Sequence, residues 1–87
     1  MIKKFFDEDT INRVWLKGFV DSRYNSNIYR KDIYGAFMQR DKYGDVNCIF
    51  GWEVDHIFPV SKGGTDNMAN LQPLSWQNNR AKGDRII

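Results

Sequence analysis

Cys48 is the single cysteine of an 87-residue chain, and this limits what the chain can fold into more than any other feature. One thiol closes no internal disulfide and builds no cysteine-rich zinc cage. A chain this short without such staples has to hold itself together by packing. Aromatic residues supply the means: they make up 15% of the sequence, Trp15, Trp52 and Trp76 among them, and each brings a large apolar surface to a small core. A thiol without a partner fits a reducing, cytoplasmic setting. No apolar run approaches the roughly 18 residues of a membrane span, and Met1-Ile2-Lys3-Lys4-Phe5 leads into acid rather than into an apolar leader. The expectation is a soluble, unexported protein with no membrane partner.

The net charge of +2 and the pI near 8.8 permit a nucleic-acid partner without demanding one. Position matters more than the total. From Arg80 onward the chain carries Arg80, Lys82 and Arg85 against Asp84 alone, a local excess that suits phosphates and equally suits a solvated helix end.

No repeat, low-complexity tract or linker divides the chain, so one unit over 1–87 is expected. Asp7, Glu8 and Asp9 place acid where a helix begins, Ile11, Val14 and Trp15 recur at helical spacing, and Gly18 offers a stop. This helix opens an N-terminal extension of about 1–34. Phe19 to Asp32 reads as an irregular crossing anchored by Tyr24, Ile28 and Tyr29. Gly35 to Arg40 reads as a short strand, Tyr43-Gly44-Asp45 as a turn, and Trp52 to Ile57 as a second strand, the two strands forming a hairpin-like pair. Ser61 to Asn67 is loop, Leu71 to Leu74 is a short extended piece, and Ser75 caps a helix from Trp76 to about Lys82 that Gly83 ends.

The one histidine follows an aspartate directly, Asp55-His56. A lone histidine in a small domain is most often a hydrogen-bonded packing residue, but an imidazole also suits proton transfer near neutrality, and Asp55 is a hard oxygen donor that Mg²⁺ accepts. Consecutive strand residues face opposite ways, which suits a base and a metal ligand working from two sides of one phosphate. Phosphodiester hydrolysis needs that division, because attacking water and leaving oxygen lie in line across phosphorus. Asn79 carries a neutral hard oxygen that completes a site with Asp55. The plainer alternatives are a loop hydrogen bond for Asn70 and a surface helix position for Asn79.

Taken together, Asp55-His56-Ile57-Phe58-Pro59-Val60-Ser61-Lys62-Gly63-Gly64-Thr65-Asp66, then Asn70-Leu71-Gln72-Pro73-Leu74, then Asn79-Arg80-Ala81-Lys82-Gly83-Asp84 resemble the HNH nuclease motif, the ββα-metal or His-Me finger, over residues 52–85. The resemblance implies a small α+β fold, here with an N-terminal helix and an added short strand. It also implies a metal-dependent endonuclease acting on DNA, mainly double-stranded. His56 would be the general base, with Asn70 supporting it by bracing the loop and the histidine backbone. Asp55 and Asn79 would hold one divalent cation, Mg²⁺ or Mn²⁺ rather than Zn²⁺ because the donors are oxygens. Lys62, Arg80, Lys82 and Arg85 would meet flanking phosphates.

One departure from the family is informative. Many HNH domains hold a structural zinc on two Cys-x-x-Cys pairs, whereas Ser75 and Asn78 occupy the second pair here and residues such as Gln39 and Lys42 lie around the first. No structural zinc is expected, and Trp15, Phe37, Trp52 and Trp76 should fill the core instead. Tyr29 to Asp32, Gly35 to Met38 and Gly51-Trp52-Glu53 resemble small stand-alone bacterial and phage HNH proteins. Two other functions stand beside cleavage. One is a catalytically weak nucleic-acid-binding module or subunit of larger restriction or phage machinery; the other is a structural domain that docks a protein through its aromatic surface.

Overall fold

Asp7 starts the first helix: its side chain accepts the backbone N–H of Thr10 at 2.8 Å, and Glu8 and Asp9 add negative charge to the first turn. The Thr10 hydrogen bonds hold the Asp7 carboxyl below its ordinary value. In the computed structural model, which describes residues 5–86, this helix is α1 (Glu8–Trp15). The leader reading of Met1 to Lys4 lies outside the described residues. Strands β1 (Tyr29–Lys31), β2 (Phe37–Gln39), β3 (Trp52–His56) and β4 (Leu71–Ser75) follow, and helix α2 (Trp76–Lys82) completes the order. Short 3-10 turns cover Arg40–Lys42, Val60–Lys62 and Met68–Asn70.

The strands form two antiparallel pairs, β1 with β2 and β3 with β4. Hence the expected pairing of the 35–40 strand with the 52–57 strand is corrected. Phe37–Gln39 pairs with Tyr29–Lys31 instead, in the register Arg30 opposite Met38, and meets the β3 side through Gln39 N–H donating to the Phe50 carbonyl at 3.0 Å. Arg30 hid β1 from a pattern reading. A strand of three residues with a cation in the middle looks polar, yet the guanidinium is nearly covered because it donates to the carbonyls of Leu16, Gly18 and Ser26. It thereby closes the C-terminal end of α1.

Ile11, Val14, Trp15, Met38, Trp52 and Leu71 form the core cluster, with the Trp15 and Trp52 rings 5.2 Å apart. Met38 takes the place expected of Phe37, because the register of β2 turns Phe37 to the other face, edge-on to Tyr24 and Tyr29. Trp76 is half-buried rather than central. All three indoles nonetheless staple loops: Trp15 Nε1 donates to Ser26, Trp52 Nε1 to Arg40 and Trp76 Nε1 to Cys48, each at a backbone carbonyl.

At Ser75 and Asn78 the chain is tied down by a carboxylate. Asp32, 2% exposed, accepts the backbone N–H groups of Tyr34 and Ala36 on one oxygen. Its other oxygen accepts the Ser75 N–H at 3.0 Å and the Asn78 amide at 2.9 Å. One buried side chain thus ties the β1–β2 turn to the junction of β4 and α2.

Candidate active site

β3 alternates as an extended strand must. Trp52, Val54 and His56 face the core side, where the Phe6 ring lies 6.0 Å from the His56 ring. Glu53 and Asp55 face α2. Asp55, 5% exposed, accepts from Gln72 Nε2 at 2.9 Å and pairs with Lys82 Nζ at 3.3 Å. Glu53 accepts the Asn79 amide N–H at 3.0 Å and has Arg80 at 3.8 Å. Its charge, after burial, is the second cause that pushes the Tyr43 hydroxyl up.

His56 is held at both backbone and ring. Opposite Leu71 in the β3–β4 ladder, it also offers its carbonyl to Lys82 Nζ at 2.9 Å. Its ring meets Asp66, with Nε2 and Oδ1 2.7 Å apart. The loop that carries Asp66 is shaped by Asn70, whose amide oxygen accepts Phe58 N–H at 2.8 Å while its nitrogen donates to the carbonyls of Phe58 (3.0 Å) and Thr65 (2.8 Å). Two glycines make that loop possible. Gly63 sits at φ 95°, and a Cβ on Gly64 would come within 1.7 Å of the Phe58 carbonyl oxygen. Lys17 secures the far side by donating to the carbonyls of Met68 and Leu71, and burial pulls its ammonium below its ordinary value.

The expected residues therefore gather around β3, β4 and α2, though not all in the expected contacts. Asp55 and His56 occupy opposite faces of one strand, and Asn70 braces the intervening loop. Asn79 lies on the Asp55 side, but among the described residues its hydrogen-bond partner is Glu53 and not Asp55. The phosphate-contact expectation for Lys82 is corrected: it is 2% exposed, with its ammonium drawn inward by Asp55 and the His56 carbonyl. An apolar stem and a buried acid make the interior the favourable place for it. Arg80 stays outside over the Trp76 ring, Lys62 is exposed, and Arg85 folds back on the carbonyls of Ala81 and Lys82. Sequence reading missed Gln72, Glu53 and Asp66. The β3–β4 register alone would have placed Gln72 beside Asp55.

Residues 46–85 match the family model described as HNH endonuclease. This segment belongs to the HNH endonuclease family. No curated protein and no solved structure matches the chain. The HNH segment contains β3, β4 and α2, two antiparallel strands with a helix packed against them; Asp55 and His56 stand on β3, Asn79 on α2, and Asn70 in the 3-10 turn just before β4. Its donors suit a small hard cation. Asp55 retains lone pairs beyond those that Gln72 and Lys82 engage, and the Asn79 amide, having turned its nitrogen to Glu53, leaves its oxygen to accept from elsewhere. Among the described residues no group of three or more His, Cys, Asp or Glu side chains could hold a metal, so within an HNH site most ligands would come from water and substrate.

Proposed function

We propose that the chain hydrolyses DNA phosphodiester bonds. The observation that carries this reading is the placement of His56 and Asp55 on opposite faces of β3, with Asn79 of α2 on the Asp55 side. His56 takes a proton from the attacking water. The water oxygen bonds to phosphorus as the bond to the 3′ oxygen breaks, and solvent returns a proton to that oxygen. Asp55 and Asn79 would hold Mg²⁺ or Mn²⁺, which supplies charge neutralisation on the phosphate when bound. Arg80, Lys62 and Arg85 are exposed and would meet flanking phosphates. None of these groups is arranged to read base edges, so cleavage of double-stranded DNA should tolerate sequence.

A second reading, a DNA-binding module or subunit with little turnover, draws support from one feature: Lys82 already neutralises the Asp55 carboxylate. Nicking of supercoiled plasmid in magnesium or manganese decides between them. The parent should nick, and His56→Ala should lose about 10²- to 10⁴-fold in rate. Equal rates would sink the assignment of His56. Retention of DNA binding with no nicking by either protein would favour the module.

A further inference from the structure

We infer that Asp66 is a positioning residue for His56, accepting the Nε2 proton so that the ring presents Nδ1 to the attacking water. The inference rests on His56 being the general base, and it identifies which nitrogen does the work. An ionised carboxylate only accepts hydrogen bonds, so the nitrogen 2.7 Å from Asp66 Oδ1 must be the one that carries hydrogen. In the neutral ring the other nitrogen then holds the lone pair. Among the described residues no protein group bonds His56 Nδ1, which leaves it for water.

A chance pairing of surface side chains would look different. The His56 side chain is 14% exposed, and the Phe6 ring packs beside it. Asp66 is more open at 43%, but it is carried on a loop whose path is dictated by three Asn70 hydrogen bonds and by the close approach of Gly64 to Phe58. The sequence of supports runs from Asn70 to Thr65, from Thr65 to its neighbour Asp66, and from Asp66 to the imidazole. On this view Asn70 acts on the histidine partly through Asp66.

The single histidine makes the test direct. Long-range ¹H–¹⁵N correlation of the full chain in mildly alkaline buffer reads the ring tautomer, and plasmid nicking by the parent, Asp66→Ala and Asp66→Glu reads the consequence. The parent should show the Nε2–H form. D66A should lose that preference and fall about 10- to 100-fold in kcat with KM nearly unchanged, by analogy with outer partners of catalytic and metal-bound histidines. D66E should recover part of both, and the amide fingerprint away from 56–70 should stay in place. An Nδ1–H tautomer in the parent, or a D66A ring with its tautomer unaltered, overturns the proposal, as does D66A nicking at the parental kcat. A His56→Ala variant as active as the parent overturns the catalytic role at its root, and is told apart because the tautomer is read without turnover.

Discussion

Lys82 illustrates how a residue's neighbours decide its meaning. In the sequence it belongs to a basic helix end; in the fold its side chain is 1% exposed against an Asp55 side chain at 7%. Removing charge from one half of such a pair leaves the other half desolvated and unmatched. Lys82→Ala should therefore destabilise the chain by about 3 to 5 kcal/mol, read from urea unfolding, whereas replacing both members together by apolar residues of similar size should cost far less. An equal loss in both variants would mean that packing of the lysine stem, and not the stranded carboxylate, dominates. Asp55 thus has two duties, one toward Lys82 and Gln72 in the interior and one proposed toward a cation.

At the scale of elements, the junction between β4 and α2 depends on Asp32. Its carboxylate satisfies four donors, and the Ser75 N–H among them is buried. Asp32→Ala should cost at least about 2 kcal/mol, because each buried donor left without a partner carries its own desolvation penalty. Asp32→Asn, with one acceptor oxygen in place of two, should fall between parent and alanine. Thermal unfolding followed by tryptophan fluorescence measures both. The individual elements were largely legible in advance. Acid at Asp7 to Asp9 and the Ile11, Val14, Trp15 spacing marked α1, and Ser75 and Gly83 bounded α2, since caps and periodicity act over a few residues. The pairing of β1 with β2 was not legible, because Arg30 reads as polar until the carbonyls of Leu16, Gly18 and Ser26 are seen around it.

Over the whole molecule, three indole N–H groups bonded to backbone carbonyls and the buried Asp32 carboxylate tie distant segments together through hydrogen bonds of the chain's own groups. Stability and metal dependence should accordingly separate. Chelation with EDTA should leave the thermal midpoint of the parent unchanged while abolishing plasmid nicking, and magnesium should restore nicking. A midpoint that falls on chelation would reveal a metal that the fold itself requires.

The residues and their order determined the local elements, the single-thiol constraint, and the Asp55, His56, Asn70 and Asn79 positions of the motif, because these depend on spacing along the chain. The tertiary structure decided which groups meet: Lys82 inward on Asp55, Asn79 on Glu53, Asp66 on His56, and Asp32 on Ser75 across a separation of 43 residues. Such contacts turn on strand register and on the desolvation of charge. Both are settled only when distant segments pack against one another.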